Sequence, residues 1–300
     1  MFGVQFRAGL QAAMRPHGAD SVASPRARYR RLALLASGRR HGPVTRLITP
    51  WSVGELTTPF VFLAYAEAAP HAQPVFGVQP HSSIAALTVV LSGEVSFEDA
   101  TGGHGEVSSG GVGWMKAAHA VWRSRGSASG EPLRMFQLWI ALLPSQEGSP
   151  AASESIAVQE VEEDGSVRVI LGQFGRARSR IRSAPADITC LHVRLTDGQR
   201  WRYSAPDGHN VTWLAVDRGG LHLQKGERVY WEQIALFGDS PGVIEAQADG
   251  ETSFVLASAK RDARPLALGN GSIHTRPAAL TQDEAESLLI ARRLRAHGRR

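Results

Sequence analysis

An all-β chain in two blocks, closed by one helix, is what this sequence predicts. Three observations carry that reading. From Val75 to Leu143 short strand-like runs alternate with Gly-rich turns. The Ser-, Ala-, Gly- and Pro-rich stretch Pro144 to Ser155 then separates a second block of the same kind. Evenly spaced short strands with turn signals argue a barrel or a sandwich. At the end, Thr281 and Glu284 form a capping box in front of a helix-period segment.

Taken in order, residues 1–42 show no sustained period. Arg7, Arg15, Arg26, Arg28, Arg30, Arg31, Arg39 and Arg40 are scattered among Ala, Ser and Gly. Little apolar surface offsets the entropy of ordering such a stretch, so a basic disordered arm is expected over 1–42. Its Arg- and Ser-containing, acid-poor composition also resembles a transit peptide, and an over-long start of the reading frame is a further alternative. The apolar run Leu32 to Ala36 is too short for a secretory core of about 7–15 residues. Order is expected from His41-Gly42-Pro43, with strands at Val44 to Ile48 and Phe60 to Tyr65 and a turn at Thr57-Thr58-Pro59. Leu87, Val89 and Leu91 alternate with Thr88, Val90 and Ser92, a period of two. Glu94 to Phe97 leads into the turn Asp99 to Gly103, and Val112 to Met115 and Met135 to Leu143 are the next strands.

In the second block Val167 to Leu171, Ile188 to Leu195, Val211 to Val216, Leu221 to Leu223 and Phe254 to Ala257 read as strands. Asp197-Gly198 and Asp207-Gly208 are turn dipeptides. In the last segment Asp283, Glu284 and Glu286 sit at the positive end of the helix dipole and Arg292, Arg293 and Arg295 near the negative end. The expected division is an arm over 1–42, a first domain over 43–150 and a second over 151–300 with the terminal helix.

The 300 residues are 43% hydrophobic, enough for real cores. No apolar run reaches the roughly 18–20 residues of a membrane-spanning helix, so no membrane is expected and the location expected is cytoplasmic. The net charge of +5 is unevenly spread. Residues 1–46 hold nine Arg against Asp20, residues 291–300 hold five Arg and no acid, and residues 47–290 hold 19 basic and 27 acidic groups. An acidic body argues against a nucleic-acid surface on the folded core, leaving only non-specific contact through the basic ends. The single cysteine, Cys190, excludes an internal disulfide and a cysteine-based zinc site, and in its apolar run it reads as a small core residue.

The stretch from Phe76 to Arg125 carries a resemblance. Gln79-Pro80-His81, the strand ending in Leu91-Ser92-Gly93, then Val112-Gly113-Trp114-Met115-Lys116-Ala117 resemble the central motifs of the pirin family. Arg46 to Pro50, Gly54-Glu55-Leu56 and Pro59 to Leu63 resemble the opening strands of pirins. Pro206 to Asn210 resembles a turn in their second half, and Gly269 to Thr275 the closing motif of a bacterial subgroup. The resemblance covers about residues 41 to 297. It implies two tandem cupin-like β-barrels, a bicupin, with one iron held in the first by three His and an acid. The four ligand positions here read Gln79, His81, Arg123 and Arg125.

Residues two apart on a strand face one way, so 79 and 81, and likewise 123 and 125, are aimed together. His81 suits iron; Gln79 offers only a neutral amide oxygen. Arg123 and Arg125 have no acceptor atom and stay cationic. Each would repel a divalent cation about 5 Å away by several kcal/mol at an effective dielectric of about 20. His81 is therefore a weak metal candidate and no cofactor is expected; iron enters only if the site is a dioxygenase. His119, four residues before Arg123, is the one imaginable substitute ligand. The chain contains no HExxH, GxSxG, P-loop or GxGxxG pattern. No catalytic residue is assigned, and Trp114, Trp122 and Trp139 read as packing.

Three functions compete. One is a pirin-like binding or regulatory protein acting on a protein partner or a small molecule. The second is a metal-dependent, quercetinase-like dioxygenase, as the resemblance implies for some members. The third is a small-anion pocket in which Arg123 and Arg125 grip a carboxylate or phosphate.

Overall fold

In the computed structural model, residues 29–72, 75–81, 83–99, 104–117, 121–128, 130–143, 145–146, 150–268, 273–274 and 281 are described. The chain opens with β1 (Leu32–Ser37), β2 (Arg39–His41) and β3 (Val44–Ile48), then a single turn of helix, α1 (Gly54–Thr57). β4 (Phe60–Ala68), β5 (Phe76–His81), β6 (Ile84–Ser92), β7 (Glu94–Asp99) and β8 (His104–Ser108) follow. β9 (Val112–Ala117), β10 (Val121–Ser127), β11 (Leu133–Ala141) and β12 (Ala152–Ile156) complete the first block. The second block holds β13 (Glu163–Asp164), β14 (Val167–Leu171), β15 (Gln173–Phe174), β16 (Ala177–Arg178), β17 (Ile188–Leu195) and β18 (Arg200–Ser204). It continues through β19 (Val211–Leu223), β20 (Arg228–Tyr230), β21 (Gln233–Phe237), β22 (Val243–Ala259), β23 (Ala267–Leu268) and β24 (Ile273–His274).

The strands assemble into three main antiparallel sheets. One runs β12-β9-β6-β11-β4-β3-β2 and a smaller one β5-β10-β7-β8. The third runs β1-β21-β19-β22-β17-β14-β13, with β18 on β22 and β20 on β19. Between the first two sheets lies a core that includes Ala64, Ala66, Val90, Val95, Val107, Leu133 and Met135. The second half has its own core around Leu191, Val193, Trp201, Leu214, Val216 and Phe254. A third core lies between the halves, where Leu63, Tyr65, Leu87, Phe136 and Leu138 meet Cys190, Trp213, Ala215 and Ala257. Period two sends successive residues of β4, β6 and β11 to opposite faces. Both faces are covered, so β6 is buried continuously from Ile84 to Val90. This is why its sequence reads as an apolar run more than as a strict alternation.

The nearly all-β reading stands, and two boundaries need correction. Residues 29–42, expected within a disordered arm, are ordered from Tyr29 on. β1 pairs with β21 of the second half, Leu35 opposite Ala235 and Ser37 opposite Gln233. Weak local apolar content is compensated by a long-range edge, which no local window can see. The stretch expected as a linker, Pro144 to Ser155, ends in β12, which pairs with β9 from Ala152↔Lys116 to Ile156↔Val112. The chain passes to the second half only after Ile156. The expected terminal helix lies, beyond Thr281, outside the described residues, as do residues 1–28 of the expected arm.

Chain ends are exchanged between the halves. While β1 joins the second half, the segment after β22 returns to the first. Thr58 Oγ1 donates to Asp262 O at 2.7 Å and Arg261 Nη1 to Leu56 O at 2.8 Å.

Candidate functional site

The four positions singled out by resemblance fall on neighbouring strands of the smaller sheet. β10 lies between β5 and β7. Arg123 stands opposite Gln79 on β5 and opposite Asp99 on β7. His81 stands opposite Val121, and Arg125 opposite Phe97 and Phe76, with a register shift on the β5 side. Alternation along β7 groups position 99 with 97 and 95. Val95 belongs to the first half's inner core, and Phe97 packs against it. The register therefore places 79, 123 and 99 in one cross-strand row of the smaller sheet. The sequence reading missed Asp99, because nothing in the linear order reveals a cross-strand neighbour. Residue 119, the imagined substitute ligand, lies outside the described residues.

Polar groups nearby are engaged within the fold. Thr88 Oγ1 donates to Gln137 Oε1 at 3.0 Å, and Gln137 Nε2 to Leu87 O at 3.1 Å. His274, on β24, is buried with Nδ1 2.9 Å from Ser83 Oγ, two residues beyond His81. The chain end thus seats a histidine beside the end of β5. Elsewhere His209 Nδ1 lies 2.7 Å from Ser258 Oγ, which also meets the Tyr203 hydroxyl at 2.6 Å. Cys190 is fully buried, and desolvation pushes its thiol up to about 12, so it is an inert core residue. Trp114 is buried and its indole N–H donates to Ser183 Oγ at 2.8 Å; Trp139 packs on Phe62 in a tilted pair with ring centroids 4.5 Å apart. Among the described residues, no three of His, Cys, Asp and Glu converge as a metal-holding group.

A second polar region lies between the halves and was not anticipated. It is a cleft of about 640 Å³ bordered by Arg134 of the first half and by Arg168, His192, Arg194, Asp217 and Arg218 of the second. Arg134 reaches across to Asp217, Nη1 to Oδ2 at 3.0 Å. Burial pushes the Asp217 carboxyl up to about 6, against the opposing pull of its hydrogen bond to Ser253 and of Arg134. His192 Nε2 lies 2.9 Å from Ser253 Oγ. Burial first, then Arg194, Arg168 and Arg134, push its imidazole down to about 3.

That depression predicts a pH dependence. A folded-state value below the usual 6.5 means that protonation favours the unfolded chain. The stability His192 confers is complete above about pH 6.5 and is lost as pH falls toward about 3. Asp217 works oppositely: its raised value favours the folded state below about pH 3.8 and loses that effect as pH rises through about 6. Urea unfolding at pH 6, 5 and 4 is expected to fall more steeply for the wild type than for His192→Gln, by up to about 1.4 kcal/mol per pH unit. Asp217 is common to both proteins, so parallel pH profiles would refute the buried neutral imidazole.

The described chain is nearly all β, in antiparallel sheets that pack face to face. Residues 43–140 match the family model for Pirin. A Pseudomonas aeruginosa protein named "Putative quercetin 2,3-dioxygenase PA2418" is 28% identical over 288 residues, covering 89% of this chain and 99% of that one. Among solved structures, a quercetin 2,3-dioxygenase from Acinetobacter baumannii superposes with TM-score 0.78 at 21% identity, over 86% of this chain and 96% of its own. The bacterial pirin YhhW from Escherichia coli, solved with nickel(II), superposes with TM-score 0.60 at 19% identity, over 76% and 100%. At those identities the two structures speak for the fold.

Proposed function

We propose that this chain is a two-barrel pirin that acts by binding, as a regulatory or ligand-binding protein in the cytoplasm, and does not work as a metal-dependent dioxygenase. Two separate inner cores support the two-barrel description. The observation that carries the functional reading is the cross-strand row Gln79–Arg123–Asp99 in the smaller sheet of the first half. A catalytic metal site usually takes about three protein ligands and keeps one position open. Of the four family positions, His81 alone brings an imidazole. Gln79 brings an amide, and Arg123 and Arg125 bring cations that cannot ligate. The donor set does not fit iron or nickel(II). Asp99 in register with Arg123 also disfavours an anion pocket there, because a carboxylate position already stands beside the guanidinium position.

The test is metal content after purification without chelators and incubation with iron(II) or nickel(II). Far less than one ion per chain is expected, with no opening of quercetin. The triple change Gln79→His, Arg123→His, Arg125→Glu is expected to gain a stoichiometric site. Stoichiometric iron in the wild type, lost in His81→Ala, would favour the second reading, a quercetinase-like dioxygenase. Near full-length similarity to a protein carrying that name speaks for this alternative.

A further inference from the structure

We infer that the cleft between the two halves is a binding site for a small molecule with an oxyanionic head, held by Arg168, Arg194 and Arg218. This site shares no residue with the β5–β10–β7 row, and it does not depend on whether that row holds a metal.

The argument begins with register. Arg168 on β14 stands opposite His192 on β17. Arg194, two residues further along β17, stands opposite Ser253 on β22. Ser253 in turn stands opposite Arg218 on β19. Three adjacent strands therefore present Arg194, Ser253 and Arg218 in one row, with Arg168 and His192 beside it. Arg168 and Arg194 are diagonal neighbours across β14 and β17, and Arg218 lies one strand beyond Ser253, so three cations border the cleft with only His192 and Ser253 set between them.

Charge within the protein does not match these cations. Asp217 is taken by Arg134, and Glu162 is paired with Arg180 at 2.9 Å. Glu163 is the remaining carboxylate on the cleft; it is largely exposed and lies 3.8 Å from Arg168 Nε, too far for a hydrogen bond. Among the described residues Arg194 and Arg218 have no ion-pair partner within 4.0 Å.

Arg168 is the built element of the site. Its side chain is only 7% exposed. A guanidinium carries five N–H donors. Here the described hydrogen bond runs from Nη2 to Val158 O at 2.9 Å, and Nε is buried with no hydrogen-bond partner among the described residues. The first half is shaped to receive this side chain. Gly110 has φ +78°, and a Cβ there would come within 2.6 Å of Arg168 Nη1 and of a Val158 methyl. Burial, and after it Arg194, hold the Arg168 guanidinium below its ordinary value.

The cleft volume of about 640 Å³ matches a small organic molecule. Guanidinium groups recognise planar or tetrahedral oxyanions through paired N–H···O bonds, so a phosphate or a dicarboxylate shares the required chemistry.

Calorimetric titration of the full chain at pH 7, with ionic strength held constant by chloride, tests this with inorganic phosphate and with malonate. At least one is expected to bind with one site per chain. Preference for phosphate would indicate a phosphoryl head, and preference for malonate a dicarboxylate. Arg194→Gln combined with Arg218→Gln alters two exposed side chains outside the cores and is expected to weaken binding at least tenfold. Arg168→Gln is expected to do the same; if it does not fold, the double variant decides. Arg123→Gln with Arg125→Gln is expected to leave binding unchanged. Failure of both anions to bind, full binding by the Arg194/Arg218 variant, or loss of binding in the Arg123/Arg125 variant would each overturn the inference.

Discussion

A chain shortened to begin at Gly42 is expected to melt about 10–20 °C below the full chain, whereas one beginning at Tyr29 melts within about 2 °C of it. The difference is Arg30, β1 and the short edge strand β2, of which Arg30 and β1 carry most of the burial. β1 forms the edge of the second half's sheet on β21, and Leu34 and Ala36 pack on the core between the halves. Arg30 is buried and donates from Nε to Gly238 O at 2.9 Å and from Nη1 to His209 O at 3.1 Å. Gln224 Nε2 donates back to Arg30 O at 2.8 Å, and Arg30 N donates to Val243 O at 3.0 Å. At about 1 kcal/mol net for each hydrogen bond, plus the apolar area of Leu32, Leu34 and Ala36, losing this strand costs about 5 kcal/mol or more. Residues 1–28 offer little apolar surface, so their removal is expected to be neutral. Melting curves of the two truncations, followed by circular dichroism, decide the matter. Equal melting temperatures would mean that β1 adds nothing.

Trp213→Ala is expected to destabilise the protein by about 3–5 kcal/mol, and Trp213→Phe by much less. Trp213 is fully buried in the core between the halves, edge-on to Phe60 at 5.6 Å and 87°. Alanine there leaves a cavity that both halves line. Phenylalanine keeps most of the ring packing. It also removes an indole N–H that has no hydrogen-bond partner among the described residues. Because each half contributes a wall of this core, the two halves are expected to unfold together, with far-UV ellipticity and tryptophan fluorescence changing at one midpoint. A variant in which one half melts early while the other is untouched would show that the shared core does not couple them.

Much of the fold was legible because its signals are local. The strand at Ile188 to Leu195 was read to the residue, and the runs at Val44 to Ile48 and Val167 to Leu171 likewise, since apolar β-branched residues bounded by turns need no distant information. β19 was read as two pieces, Val211 to Val216 and Leu221 to Leu223. Asp217-Arg218-Gly219-Gly220 interrupts the apolar pattern there, although the strand runs on through shifts of register. Arg200–Ser204 was missed because its Arg-Trp-Arg-Tyr alternation is short and carries only two large apolar residues.

By itself the sequence determined three things. The chain is almost wholly β, it holds two blocks of short strands, and the four positions singled out by the pirin resemblance read Gln79, His81, Arg123 and Arg125. Each follows from period-two patterning, from turn residues or from the chemistry of single side chains. Tertiary structure alone decided the rest. It set β1 on the far half, returned β12 to the first sheet, placed His274 beside Ser83 and put Asp99 next to Arg123. It also gathered Arg134, Arg168, Arg194, Asp217 and Arg218 around one cleft. The physical reason is the same throughout. A strand's inward face is set by its own alternation, but its partner is set by which distant edge offers unpaired backbone groups and matching register.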